Sequence, residues 1–560
     1  MSAPAPRLLY GLAGVVAVAV CVPLVYLVIR AIEGGSDTAI VALGHPAVWQ
    51  AASTSLALAG IVGLSTVAIG VPVAWLLVRA EIAVRRVWIV VVILPLAVPS
   101  FVAAYAWVSL LPGFRGFWAA WLVLTAATTP YVVLPTAAAL RSIDPAHEEV
   151  ARTLGFGAVA AFLRAALPQI WPAVGGGALL ATLYVLSDFG AVSILRVDTL
   201  SRAVYASYRS SFDRSSAAML ALLLAVLAMI VVAIEQRARG RAQRSRLATA
   251  APRHASRVVL GRWRVPAYGL LATVAITGLV VPLGSTVSQL HHGASARFDA
   301  TDVLGAALTS TWYGIVGMTV ALALALPVGI LAGRYPSLWS HNLERLSFVG
   351  QALPGVVVGL SVVFVGTRLV PGIYQTVILL GFAYGVLFLP KAAAAVRGSV
   401  ATVPPVLEDV ARTLGYSPRQ AFFRVTARLA APGITAGALL VLLTVMKELP
   451  ATLMLRPTGD HTLATRLWTL SEVGEFAAAA PYSLILIGIG AIPAFVLALP
   501  LVRVSQQQSP PPQPGGSTLA APGKTESGNA SGNQVLAGSV GSCEAAGSDN
   551  SVKLSSGPAA

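Results

Sequence analysis

Apolar and polar positions fall in long blocks along this chain, not at short periods. Runs of about 20 apolar residues recur, each long enough to cross a bilayer as a helix. Twelve runs predict twelve transmembrane helices, over about residues 8–29, 54–78, 87–111, 117–140, 173–195, 216–234, 265–288, 308–332, 346–369, 374–396, 432–455 and 481–502. After Arg503 the blocks stop. Residues 504–560 are rich in Gln, Pro, Gly, Ser and Ala, which predicts a disordered tail.

The polar blocks contain a repeat. Glu148-Glu149-Val150-Ala151-Arg152-Thr153-Leu154-Gly155 returns 260 residues later as Glu408-Asp409-Val410-Ala411-Arg412-Thr413-Leu414-Gly415. From Glu148 to Leu195, 19 of 48 positions match their counterparts without a gap. Each copy is charged yet lies between apolar runs, so each is expected in a loop at the membrane surface. Asp144-Pro145 and Pro404-Pro405 suit the start of a short helix, and Gly155 and Gly415 suit the left-handed residue just past its end. Six predicted spans separate the copies, so the halves cross the membrane in the same direction, as a parallel repeat. Gly60-Ile61-Val62-Gly63 recurs as Gly314-Ile315-Val316-Gly317, and Leu94-Pro95 is matched with Leu353-Pro354.

Composition agrees with an all-α integral membrane protein. Of 560 residues, 56% are hydrophobic and 11% charged, against about 25% charged in soluble proteins. The net charge of +16 comes from arginines in short loops, which points to membrane topology and not to nucleic acid. Residues 235–264 hold nine arginines and one acid, Glu235. Positive charge stays in the cytoplasm, so this loop, both repeated loops and both termini are expected inside. The loop 196–215 runs against the rule, with Arg196, Arg202, Arg209 and Arg214 on the outer side. The organisation expected is a six-span half over 1–234 with its loop at 141–172, a basic linker over 235–264, a second half over 265–503 with its loop at 397–431, and the tail. Cys21 and Cys543 have neither disulfide nor metal-ligand spacing.

Glu-x-x-Ala, a Gly four residues on, then Leu167-Pro168 resembles the EAA loop of ABC importer membrane subunits. That resemblance implies a type I ABC importer permease-like fold of two six-helix repeats. It implies that Glu148, Glu149, Ala151, Arg152, Gly155, Glu408, Asp409, Ala411, Arg412 and Gly415 form coupling loops. Two cytoplasmic ABC ATPase subunits would dock there, and a solute-binding protein would deliver cargo from outside. Arg428 stands where the loop pattern has the proline found at 168. No phosphate-binding Gly-x-x-x-x-Gly-Lys-Ser/Thr loop and no His-Glu-x-x-His helix occurs. The chain is therefore expected to bind no cofactor and to catalyse no reaction, with ATP used by the partner subunit.

Ionisable residues inside a membrane are functional candidates by default. Ser187-Asp188 and, 260 residues on, Lys447-Glu448 lie inside the fifth and eleventh predicted spans. With Tyr184 they are the candidate translocation pathway; a purely structural pairing of Lys447 with Glu448 is the alternative. The surrounding Ser187-Asp188-Phe189-Gly190-Ala191-Val192-Ser193 and Met446-Lys447-Glu448-Leu449-Pro450-Ala451-Thr452 resemble the ferric-iron branch of these permeases. Thiamine and aminophosphonate permeases look similar. A secondary transporter driven by an ion gradient also uses parallel repeats and buried charges, but leaves the two near-identical loops unexplained. The oxygen ligands suit a hard cation, whereas the charge on Lys447 favours a chelated or anion-accompanied metal.

Overall fold

The polar loops of the chain sit at the ends of long helices, in a computed structural model that describes residues 7–35, 40, 43–143, 146–210, 214–245, 258–292, 299–335, 337–347 and 353–507. Among these residues ten helices are long and apolar enough to cross a membrane. They are Arg7–Glu33, Pro46–Arg79, Phe117–Ser142, Val159–Ser187, Ser215–Ile234, Gly261–His292, Ala300–Arg334, Val377–Ala401, Pro418–Val445 and Phe476–Leu499. Each overlaps one predicted run. The 35 residues of Ala300–Arg334 span about 52 Å, more than the ~30 Å of hydrocarbon in a bilayer, so such helices project beyond it. Most of the predicted tail, Asp144-Pro145 and the centre of the basic linker lie outside the described residues.

The other two predicted spans, the third of each half, differ from expectation. The run 87–111 is a broken pair, Arg85–Ala97 and Ser100–Leu110, bent by 95°. Two prolines cause the break. Pro95 lies in a 3₁₀ turn, and Pro99 immediately precedes the next helix, where its missing N–H and fixed φ are tolerated. In place of the run 346–369 the described helix is only Gly355–Arg368, which Pro354 precedes. Pro99 and Pro354 adopt φ/ψ of −58/145° and −57/146°. The structural counterpart of Pro354 is thus Pro99, 255 residues away, and not Pro95. A Leu-Pro dipeptide at both places misled the match by four residues.

The halves interlock. Gly261–His292, from the second half, lies along Ser100–Leu110 of the first. The Ser285 hydroxyl donates to the Ala106 carbonyl at 2.7 Å, and Gln289 Nε2 donates to the Ser109 carbonyl at 3.2 Å. Reciprocally, Arg7–Glu33 reaches the second half, where the Arg30 guanidinium sits 5.9 Å from the Phe364 ring centre and Tyr10 bonds Ser337 at 3.1 Å. The last helix packs on the first half's break, and the Tyr105 hydroxyl donates to the Phe476 carbonyl at 2.6 Å.

Helix ends sort as the loop parity requires. The Gly116 N–H donates to the Leu195 carbonyl at 2.8 Å, joining two loops at one end. The Val258 N–H donates to the Arg79 carbonyl at 2.8 Å, joining the linker's end to the loop after Arg79 at the other. The basic loop expected outside has acidic neighbours: Arg202 pairs with Asp198, and Arg209 lies 3.8 Å from Glu472 of the second half. Burial raises the Glu472 pKa, with the nearby Arg209 acting against it.

The interlock gives a test of packing. A Cβ at Gly490 would lie 1.9 Å from the Ala97 carbonyl oxygen, whereas one at Gly488 meets nothing within 4 Å. Gly490→Ala should cost about 1–3 kcal/mol by overpacking, and Gly488→Ala should gain up to about 1 kcal/mol of helix propensity. Thermal unfolding in detergent should show opposite shifts. A Gly490→Ala protein that melts at or above the unmodified one contradicts the packing.

Candidate functional site

The repeated loops form two hairpins with the same internal chemistry. Short helices Ala146–Thr153 and Val406–Thr413 each end in a Schellman motif. The Gly155 N–H donates to the Arg152 carbonyl at 3.0 Å and the Phe156 N–H to the Ala151 carbonyl at 3.2 Å. Gly415 and Tyr416 repeat these bonds to Arg412 and Ala411 at 3.0 and 3.2 Å. Gly155 and Gly415 have φ of +88° and +89°, the left-handed region expected for the residue past the helix end. The chain then turns back, and an arginine covers the ring after each glycine. Arg164 lies 4.3 Å from the Phe156 ring centre, and Arg424 lies 4.6 Å from that of Tyr416.

Each hairpin is also bolted to the end of a long helix. Arg79, the last residue of Pro46–Arg79, lies 3.1 Å from Glu148; Arg334, the last of Ala300–Arg334, lies 2.8 Å from Glu408. All four side chains are at most 14% exposed, so these pairs are screened less than surface ones. Glu148 and Glu408 therefore face the helix bundle, and so does Ala411, which is buried. Glu149 and Asp409 are exposed, and Arg412 reaches Asp409 at 3.6 Å. The hairpins are not identical: Thr426 donates to Glu408, whereas Ala166 stands at the equivalent place beside Glu148.

Two apolar positions per hairpin escaped the sequence reading. Val150 and Leu154 are 58% and 72% exposed; Val410 and Leu414 are 51% and 72% exposed. The signal was an apolar pair four residues apart on a polar helix, repeated unchanged. Exposed apolar side chains at the same place twice mark a surface that a partner can cover.

A second feature lies between the halves. A cavity of about 490 Å³ is lined by all five candidate pathway residues, Tyr184, Ser187, Asp188, Lys447 and Glu448. It is lined as well by Tyr131, Leu134, Lys391, Pro493 and Leu497. Tyr131 and Leu134 fall in the later part of Phe117–Ser142, and Pro493 and Leu497 in the later part of Phe476–Leu499. The cavity lies where those parts meet the far ends of the helices that leave the hairpins. Lys391 was not among the candidates; its signal was a lone charge in the predicted span 374–396.

The cavity exists because two spans break there. Val159–Ser187 ends at Asp188, and a new short helix begins at Gly190. The Asp188 carboxylate caps the new helix: Oδ1 accepts from the Ala191 and Val192 N–H groups at 3.0 and 3.3 Å, and Oδ2 accepts from the Ser100 hydroxyl. Glu448 caps Pro450–Leu455 in the same way. Its Oε1 accepts from the Ala451 N–H at 3.0 Å, and its Oε2 from the Thr452 N–H and hydroxyl at 2.9 and 2.7 Å. Ser100 and Gly355 both open the helix after the Pro99-type break. A Cβ at Gly355 would lie 2.8 Å from Glu448 Oε1, so glycine there makes room for the longer acid.

On the far side of the break, aromatic rings from both halves close together. Phe189 and Tyr205 of the first half have ring centres 4.7 Å apart, and Trp468 of the second half lies 6.1 and 5.8 Å from them. Phe189 is 1% exposed and Trp468 3%. Near this end a polar cavity of about 660 Å³ includes Asp299, Asp302, Asp460, His461 and Arg466. Burial, then Arg456 and Arg466, hold the His461 pKa below its ordinary value. Among the described residues no group of three or more His, Cys, Asp or Glu side chains could hold a metal ion.

Interlocked parallel repeats that enclose an internal cavity in a bundle of membrane-spanning helices define a multi-pass membrane transport protein. The chain belongs to the binding-protein-dependent transport system inner membrane component family, whose pattern matches residues 66–240 and 325–508. It is 31% identical over 481 residues to the Fe(3+)-transport system permease protein FbpB 2 of Haemophilus influenzae, covering 85% of this chain and 95% of that protein. It is 27% identical over 229 residues to a putative 2-aminoethylphosphonate transport system permease protein, PhnV, of Salmonella typhimurium, covering 41% of this chain and 83% of that one. A probable molybdenum ABC transporter permease protein of Haloferax volcanii is 29% identical over 228 residues, 39% of this chain and 84% of its own. The membership makes this chain a permease subunit of an ABC importer.

The capping geometry separates hydrogen bonding from charge. Asp188→Asn keeps an acceptor for the Ala191 and Val192 N–H groups; Asp188→Ala leaves them and the Ser100 hydroxyl without it. Unfolding in detergent should show a loss of about 1–3 kcal/mol for Ala and within about 0.5 kcal/mol for Asn. Equal losses for the two variants would mean that charge, not capping, holds the break.

Proposed function

We propose that this chain supplies both halves of the translocation pathway of a ferric-iron importer. The likeness that carries the iron reading runs through both halves, over 85% of the chain, to a Fe(3+)-transport permease. The phosphonate likeness reaches 41%.

Two ATPase subunits dock on the cytoplasmic side, one per hairpin, and a solute-binding protein delivers iron from outside. Both termini are cytoplasmic, on the side of the arginine-rich linker. ATP hydrolysis belongs to the ATPase chains, and this chain needs no cofactor of its own. The duplicated exposed surface, Glu149, Val150, Leu154 and Gly155 with Asp409, Val410, Leu414 and Gly415, supports two docking sites. Arg152 and Arg412 flank it. Glu148, Ala151, Glu408 and Ala411 carry motion inward, through their packing on the permease.

Motion then has a stiff route to the cavity. Each hairpin leads into a membrane helix, Val159–Ser187 or Pro418–Val445, whose far end abuts the capped break. ATP binding draws the ATPases and both hairpins together, the helices follow, and the halves rock about the cavity as in alternating access. Tyr184, Ser187, Asp188, Lys447 and Glu448 line the path. The aromatic contact of Phe189, Tyr205 and Trp468 is the outer gate of the state described.

The left-handed glycines test the docking. A β-branched residue at φ near +88° is strongly disfavoured. Gly155→Val or Gly415→Val should leave the protein in the membrane but reduce ATPase co-purification and iron uptake, and the double change should reduce both further. Full uptake by the double variant at normal expression would remove the coupling assignment. Continued uptake after ATP removal, with the proton gradient kept, would favour a gradient-driven carrier.

A further inference from the structure

Two lysines bring positive charge into the cavity. Lys391 and Lys447 both line it. Lys391 is exposed to the cavity with its ammonium 5.5 Å from the Phe388 ring centre, and Lys447 is half-buried. Neither has an ion-pair partner among the described residues, whereas Glu344 and Glu408 on the same half are each paired with an arginine.

The two cavity acids do not balance them freely. All four oxygens of Asp188 and Glu448 already accept hydrogen bonds from the protein. Moving either carboxylate onto a passing ion would leave backbone N–H groups open inside an apolar bundle, at a cost. The remaining polar lining is neutral: Tyr131, Tyr184, Ser187 and Thr444 offer hydroxyls. The sequence repeat shows how one-sided this is. Tyr131 stands where Lys391 stands in the other half, and Ser187 where Lys447 does, 260 residues apart. Both cations come from the second half, and three of the four hydroxyls, those of Tyr131, Tyr184 and Ser187, come from the first.

Such a lining offers a bare trivalent cation no free carboxylate oxygen, and its two ammonium groups repel it. It suits an oxyanion, to which ammonium groups and hydroxyls both donate. We infer that Lys391 and Lys447 form an oxyanion site in the translocation cavity, and that the cargo passes as iron accompanied by a small oxyanion. This deepens the iron reading and rests on it for the metal, but the anion site stands on the cavity alone. It also makes the lysines specificity-determining residues: they admit the complex and turn away free metal cations.

The test uses the complete transporter, with its ATPase subunits and binding protein, in proteoliposomes. Labelled iron is supplied with a separately labelled oxyanion, phosphate in one arm and citrate in another. Sulfate and 2-aminoethylphosphonate without iron form two further arms. Iron and one of its oxyanions should enter together in a fixed ratio. Lys391→Gln and Lys447→Gln should each lower that uptake about ten-fold, and Lys391→Arg and Lys447→Arg should retain most of it. The arginine variants and gel filtration of all four proteins separate loss of charge from failure to fold. Iron entering with neither anion, or glutamine variants that match the unmodified protein, would overturn the inference. Uptake of an oxyanion without iron, lost in the glutamine variants, would remove the iron reading and keep the lysine site. No uptake of iron or of any of these anions would remove both.

Discussion

A helix that stops inside a membrane leaves backbone N–H groups with no water to bond, and this chain meets that constraint twice with a buried carboxylate. Asp188 and Glu448 each accept from two successive backbone amides of the next short helix. The rest of the central architecture depends on those caps. They allow the spans to break, the breaks open the cavity, and the cavity abuts a cluster of aromatic rings that Phe189 joins. Ser100 in one half and Gly355 in the other show the same corner adjusted to a short acid and a long one.

The second dependence is mechanical. In each half an arginine at the last residue of a long helix binds the first acid of the repeated loop, a left-handed glycine closes the short helix, and a second arginine covers the next ring. These contacts fix each loop to two membrane helices at once. What they leave exposed is a small apolar and acidic surface, presented twice. Interlocking of the first and last helices means that neither half moves without sliding against the other's broken span. The added Thr426 contact makes the second hairpin the better supported of the two.

Much of this was legible in the sequence, because the membrane makes long apolar runs and the repeat identifies equivalent places. Ten of the predicted spans overlap described helices, and the loop glycines lie just past helix ends; the fifth and eleventh stop early, so Asp188, Lys447 and Glu448 lie at breaks and not inside continuous helices. The third span of each half was not legible, since an unbroken apolar run hides a bend; Pro95 and Pro99 carried that information. Burial of Glu148 and Glu408 was also invisible, because their arginine partners lie over 60 residues away in the chain. Lys391 stood in a predicted span as a lone charge, and only the folded cavity sets it beside Lys447. The carboxylates read as oxygen ligands from sequence; the following residues Ala191 and Thr452 show why they are caps.

The central claim is that the two repeated hairpins move together under ATP and drive the cavity between its states. Spin labels on cysteines placed at Val159 and Arg419, equivalent exposed positions outside the docking surface, in a background lacking Cys21 and Cys543, report the distance between the hairpins directly. In the complete transporter the account predicts a shorter distance when ATP is bound without hydrolysis, returning to the starting value after turnover. An unchanged distance, in a transporter that binds ATP and imports its cargo, would contradict it.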